Sequence, residues 1–284
     1  MITFLNGEVK RSSNPFSCAL IQGRPPCYTA RVSNVFYAPN ERRAAKVNDL
    51  FAAIAGRYDL LNDIQSFGLH RLWKRRVVRL ARARPGDRAL DLCCGTGDLA
   101  FALARRGAET TGLDFSGKML EVAKNRSRKA EAGRQNKIPN SEFRPPNFIQ
   151  GDALAVPFPD NFFDIVTIGY GLRNLADWKR GLDEMNRVAK PGARLVVLDF
   201  GKPPNALWRG IYFTHLKCSV PLMGRIFCGN AQAYAYILES LKNWPAQTGV
   251  AEKMRGLKLS NVRVINLLGG AMAINCGERP DQNL

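Results

Sequence analysis

Four aspartates and a pair of glycines are the residues of this chain best placed to do chemistry. In "ALDLCCGTGDLA", Asp91 closes a short apolar run, Gly95 and Gly97 form a tight turn, and Asp98 opens the following segment. A strand, glycine turn and helix in that order let a nucleotide approach the backbone, where a Cβ would block it and where positive φ is often needed. A phosphate is the wrong ligand for this turn. No Lys-Ser/Thr pair follows the last glycine, and Leu99 or Ala100 stands where the dinucleotide fingerprint has its third glycine. Asp91 and Asp98 would repel a pyrophosphate and suit a cationic ligand. Asp114, 19 residues beyond Gly95, ends a second apolar run in "TTGLD", where a carboxylate can accept hydrogen bonds from both ribose hydroxyls. Asp152, in "QGDALAVPFPD", ends a third and is expected to reach an adenine amino group.

The elements that position these acids follow from periodicity. Apolar residues Val47, Leu50, Phe51, Ile54, Tyr58, Leu61 and Ile64 recur at spacings of three and four, and a second amphipathic stretch runs through "RLWKRRVVRLARA". Two helices therefore precede the first strand. Strands are expected at "RALDLCC", "TTGLD", "NFIQGDA", "FDIVTIGY" and "ARLVVLDF", with helices between most of them, which predicts a mainly parallel, doubly wound sheet. "VRVINLLGG" and "AMAINCG" add a closing antiparallel hairpin turned at Gly269 and Gly270. The polar stretch from Ala123 to Pro146 is read as a helix end and a solvated loop.

Composition narrows the class. Forty-two Lys and Arg against 24 Asp and Glu give a net charge of +18, which favours an anionic partner, either nucleic acid or a membrane surface. Seven cysteines without CxxC spacing argue against a disulfide framework or zinc site, so no metal is expected. Residues 1–42 hold one acid, Glu8, before Glu41, with scattered Ser and Pro and no helical period. They read as a disordered tail, compatible with an organelle transit peptide or with an over-long start.

The ordered set of glycine loop and strand-end acids resembles the AdoMet-dependent methyltransferases of the Rossmann-like class. That resemblance implies a seven-stranded sheet and S-adenosyl-L-methionine as co-substrate, held by Asp91, Gly95, Thr96, Gly97, Asp98, Asp114, Phe115, Asp152, Ala153 and Gly169. AdoMet is cationic at sulfur and amino group and carries no phosphate, which agrees with the acid-rimmed loop. "YDLLNDIQSFGLHRLWK", Tyr58 to Lys74, and "GYGLRNLADWKRGLDEMNRVAKPGARLVVLDFGKP" are similar to the two signatures of the quinone C-methyltransferases that complete menaquinone, phylloquinone and ubiquinone biosynthesis. Ala189, Ala193 and Gln65 depart from a common Leu, Gly and Met. Gly169 stands where some members place a Ser, which leaves only its backbone to meet the cofactor.

What the resemblance implies is a single methyltransferase domain over 43–284, with a helical lid over 43–84 and a helical insertion over 203–245. The reaction implied is C-methylation of a demethylated prenyl quinol. Demethylmenaquinol is the leading substrate, with demethylphylloquinol and 2-methoxy-6-polyprenyl-1,4-benzoquinol as alternatives. Ionising a quinol hydroxyl makes the ring carbon enolate-like, so the site needs a proton acceptor and a cation for the oxyanion. Arg173 is expected to face the crevice as that cation, directly or through a water. Tyr58 and His70 of the lid are expected to line the ring pocket or move the proton, while Asp59 and Asn62 are expected to fix the lid by capping and turn bonds.

A prenylated quinol lives in the bilayer, so the chain is expected in the cytoplasm, peripheral at the inner face of the membrane, with organelle targeting by the tail as the other option. Trp208, Tyr212, Phe213, Leu216, Leu222, Ile226 and Phe227, mixed with Arg209, Lys217 and Arg225, suit either a headgroup boundary or a core helix closing the pocket. A homodimer is compatible with the resemblance. The rival reading is a nucleic-acid binder or RNA methyltransferase, disfavoured because the basic residues are spread over tail, lid and loop. A catalytically silent AdoMet-binding protein is the third.

Overall fold

The five expected strands and the closing hairpin form one sheet in the computed structural model, which describes residue 49 and residues 55–135, 143–228, 240–241 and 244–281. The tail over 1–42 and the residues Val47, Leu50, Phe51 and Ile54 of the first helical pattern lie outside the described residues. All the described residues belong to one unit, Asn34–Leu284.

A 3-10 turn at Ala55–Arg57 leads into α1 (Tyr58–Ser66) and α2 (Leu69–Ala81), and then β1 (Arg88–Leu92), α3 (Asp98–Ala104), β2 (Glu109–Asp114), α4 (Gly117–Gln135) and β3 (Asn147–Gln150). The chain continues through β4 (Phe163–Gly169), a 3-10 turn at Leu172–Asn174, α5 (Trp178–Val188), β5 (Ala189–Phe200) and α6 (Ala206–Cys228). It closes with α7 (Ala246–Gly256), β6 (Ser260–Leu267), a 3-10 turn at Leu268–Gly270 and β7 (Met272–Glu278). Strand order is β3-β2-β1-β4-β5-β7-β6, with β7 antiparallel to both neighbours and the other pairs parallel. The order reverses between β1 and β4. That switch point opens a crevice at the carboxyl ends of the strands, where ligands bind in such sheets.

Helices cover both faces. On one, α5 and α7 bring Leu182, Met185, Val250 and Met254 onto Leu90, Val166, Leu195 and Val197. On the other, α2 and α3 bring Val77, Val78, Ala81, Leu99 and Leu103 onto Ile165, Val196, Leu198 and Ile274. Val77 and Ala81 are wholly buried, and a buried Val contributes roughly 1.5–3 kcal/mol. The two helices of the expected 43–84 lid take different places. The second half of α2 is a fixed cover of the sheet, and α1 with the start of α2 is the part that lies over the glycine loop.

The aromatic insertion divides by helix face. Leu216 is buried and Tyr212 and Phe213 are half-buried against the core. Leu207, Trp208 and Ile211 are exposed. One side of α6 therefore packs in the core and the other is exposed; the side chains of Leu222, Ile226 and Phe227 lie outside the described residues. Helix α7 was not legible as an element of its own.

Candidate active site

The glycine turn is built from left-handed backbone. Cys93, Gly95 and Gly97 take φ of 51°, 55° and 88°, and a Cβ on Gly97 would stand 2.6 Å from the Phe148 ring. The turn folds back so that Gly95 N–H donates to Asp114 Oδ2 and Ser116 N–H to Asp114 Oδ1, both at 2.8 Å. These two amides aim the Asp114 carboxylate across the end of β2. Burial raises its carboxyl above the usual range, and the amide bonds work against that rise.

A cleft runs past this carboxylate. Gly95, Asp114, Phe115, Asp152, Ala153 and Gly169 of the expected set line it, and Ser116, Tyr170 and Asn174 join them. Two carboxylates and no lysine or arginine line it among the described residues, which suits a sulfonium nucleoside and opposes a phosphate. Gly169 contributes backbone alone, since a Cβ there would meet Leu99 Cδ1 at 2.8 Å.

A smaller recess shares Cys93, Gly95, Gly169 and Tyr170 with the cleft and adds Asp91, Thr96, Asp98 and Lys74. Asp91 is buried at the end of β1 and accepts a 2.8 Å hydrogen bond from Thr167 Oγ1. Burial pushes its carboxyl up to about 7, against the Thr167 bond and the Lys74 charge. A cationic amino group arriving there would offset that burial cost, which is how this carboxylate can hold the amino end of AdoMet.

Asp98 does not present a free carboxylate, contrary to its expected role as part of an acidic rim. Burial alone would raise its carboxyl, but Lys74 Nζ and Arg126 Nη2, each at 2.8 Å, hold it at about 2. Arg126 was missed in the sequence because it sits in the polar stretch read as a helix end and a solvated loop. Its Nη1 also donates to Thr96 O at 2.8 Å and lies 3.6 Å from Asp59 Oδ2. Thr96 Oγ1 in turn donates to Asp59 Oδ1 at 2.9 Å. Asp59 is therefore a tie between α1 and the glycine loop, rather than a cap within the lid.

Arg173 is also placed differently from expectation. It is 8 % exposed and does not line the cleft. Its guanidinium lies over the Phe200 ring, with Nε 3.2 Å from Asp199 Oδ1, and Nη1 donates to Ser240 Oγ and Asn174 Oδ1. The reason is the buried carboxylate at the end of β5, which also accepts from Arg173 N–H at 3.0 Å. The neighbouring Asn174 reaches the cleft instead, and its Nδ2 donates to Tyr170 O.

His70 is 2 % exposed, shares a 2.9 Å hydrogen bond with Ser66 Oγ, and lines neither cavity. Burial lowers its pKa and Lys74 adds to the effect, so the ring is neutral at pH 7 and packs as part of the α1–α2 turn. Tyr58 opens α1, and its side chain lies outside the described residues. Burial raises the thiols of Cys93 and Cys94 well above their ordinary range, which disfavours the thiolate.

The model of the ubiE/COQ5 methyltransferase family matches residues 39–279. This chain belongs to that family. The demethylmenaquinone methyltransferase of Thermus thermophilus is 44 % identical over 233 residues, 81 % of this chain and all of the relative. That of Desulfitobacterium hafniense is 40 % identical over 242 residues, 84 % of this chain and 91 % of the relative. The ubiquinone/menaquinone biosynthesis C-methyltransferase UbiE of Azotobacter vinelandii is 38 % identical over 245 residues, 85 % and 93 % of the two chains. A SAM-dependent methyltransferase of Thermotoga maritima shares the fold at a TM-score of 0.54 and 17 % identity, covering 81 % of this chain and 99 % of that one. Family and fold together make the protein an AdoMet-dependent methyltransferase of quinone biosynthesis.

Proposed function

We propose that this family member transfers the AdoMet methyl to a ring carbon of demethylmenaquinol, with demethylphylloquinol and the methoxy-polyprenylbenzoquinol as the alternatives within the same chemistry. One observation carries the reading. The two long signatures are brought to the same glycine loop, Asp59 bonding Thr96 and Lys74 lining the recess from the first, Gly169, Tyr170 and Asn174 lining the cleft from the second.

When bound, AdoMet supplies an electrophilic sulfonium methyl. Asp114 holds the ribose, Asp152 and the backbone at Ala153 face the adenine, Phe115 covers the cleft mouth, and Asp91 with the backbone of Gly95, Thr96 and Gly97 receives the amino acid end. Asn174 presents an amide to the quinol, and Arg173 acts through it, as a positioning residue whose charge favours the growing oxyanion. Orienting the ring carbon in line with the methyl supplies much of the rate. His70 keeps α1 and α2 in register; the Tyr58 hydroxyl is the lid group we assign to the ring pocket.

The prenylated substrate places the enzyme at a bilayer surface, as a peripheral protein. No helix among the described residues is long and apolar enough to cross a membrane. Transfer of labelled methyl to demethylmenaquinol, set beside the two alternative quinols, tests the assignment.

A further inference from the structure

The apolar surface of this protein is concentrated at one end. Nine large apolar side chains are exposed among the described residues, and their segments are all anchored where the sheet carries its carboxyl ends. Leu60, Ile64 and Phe67 follow Asp59, which is bonded to the glycine loop after β1. Leu72 precedes Lys74, which is bonded to Asp98 on the same loop, and Phe115 follows β2 at the cleft mouth. Leu268 stands in the turn after β6, where its carbonyl accepts from Trp208 Nε1 at 3.0 Å and so fixes the start of α6 at this end. Leu207 and Ile211, one helical turn apart on α6, are 76 % and 52 % exposed, and Phe67 is 87 % exposed. The opposite edge of the sheet has no exposed large apolar side chain among the described residues.

Charge selects the partner. From Gly201 to Leu238 the sequence has no Asp or Glu, while it has Lys202, Arg209, Lys217 and Arg225. Arg209 and Lys217 are exposed on the same helix as Leu207 and Ile211, and Arg75 and Arg76 are exposed on α2. Apolar side chains among exposed cations match an anionic lipid surface, where cations meet headgroups and the apolar tips enter the acyl boundary.

We infer that the carboxyl end of the sheet docks on an anionic bilayer, with Leu207, Ile211, Leu268 and Phe67 entering the headgroup layer and the cofactor cleft opening toward it. The inference rests on the prenylquinol reading for its purpose, since the cleft then faces the layer that holds the substrate. It assigns a substrate-entry face. The exposed side of the first two turns of α6 is the anchor, distinct from the side of the helix that packs in the core.

The test uses the full chain at physiological salt with vesicles of phosphatidylcholine alone and with about a third phosphatidylglycerol. Leu207→Glu/Ile211→Glu is compared with Arg105→Gln/Arg106→Gln, which makes the same change of net charge on exposed residues at the other end of α3. The wild type is expected to bind the anionic vesicles. The first double variant should lower the partition coefficient on the order of tenfold and the second less than about twofold. Both should methylate a tail-less quinol as the wild type does, and the first should lose turnover on prenylated quinol in vesicles. An equal loss in the two variants, or absence of binding, overturns the proposal. So does a solution dimer that Leu207→Glu/Ile211→Glu separates while vesicle binding persists, which would make the face an interface between copies. Failure of the wild type to methylate the tail-less quinol would instead strike the functional reading and leave the vesicle result standing.

Discussion

Asp59 and Thr96, 37 residues apart, are joined by a 2.9 Å hydrogen bond that ties the first described helix to the cofactor loop. Arg126 closes the tie by donating to Thr96 O and lying 3.6 Å from the same carboxylate. Helix α1 and the glycine loop are thus held together by a small polar cluster.

Asp59→Ala should weaken AdoMet binding by about fivefold, corresponding to about 1 kcal/mol for a partly exposed charge-assisted bond. Thr96→Val should act on the same interaction, so the double variant should be no weaker than the worse single one. Calorimetric titration of AdoMet over this cycle reads the coupling; additive effects would show that the bond does not hold the loop.

Asp91→Asn separates stability from binding. Burial raises the Asp91 carboxyl to about 7, so its contribution to stability is complete below the unfolded value near pH 4 and is lost as pH rises through 7, an effect on the order of 4 kcal/mol at most. The cofactor-free protein should lose stability over that window, and Asp91→Asn should flatten the loss while weakening AdoMet binding at least tenfold. Urea unfolding from pH 5 to 8 measures the first. Asp98 works in the opposite sense: held at about 2, it adds stability above about pH 4 that is lost as pH falls toward 2.

Arg173→Ala should cost about 3–5 kcal/mol, because it leaves the Asp199 carboxylate buried without its partner. Arg173→Met/Asp199→Asn should recover most of that stability and still turn over at least tenfold more slowly, with AdoMet affinity within about twofold of wild type. Full turnover by the double variant would remove Arg173 from the mechanism.

Gly97→Ala should destabilise the protein by about 1–3 kcal/mol and weaken AdoMet binding, since φ of 88° and the Phe148 ring at 2.6 Å leave a methyl no place without moving the loop. Thermal unfolding with and without AdoMet checks both effects, and a wild-type melting profile would contradict the packing argument.

The sheet, the glycine turn and the strand-end acids were legible because alternation, turn chemistry and strand-end position are local properties of a few residues. The partners of those acids were not. Lys74 and Arg126 reach Asp98 from 24 and 28 residues away, so sequence alone left a neutralised carboxylate looking free. Arg173 looked exposed to the crevice because its captor, Asp199, lies a strand away. Asn174 was adjacent in the same motif, and its place at the cleft follows once Arg173 turns inward. Helix α7 escaped because small residues such as Ala246 and Gly249 replace the large apolar ones that mark a period, with Val250 and Met254 left to form its buried face.

The central claim is most directly tested by incubating the purified chain with methyl-labelled AdoMet and each of demethylmenaquinol, demethylphylloquinol and 2-methoxy-6-polyprenyl-1,4-benzoquinol under reducing conditions. The account predicts label on a ring carbon, with the highest kcat/KM for demethylmenaquinol. Absence of transfer to all three quinols would contradict it.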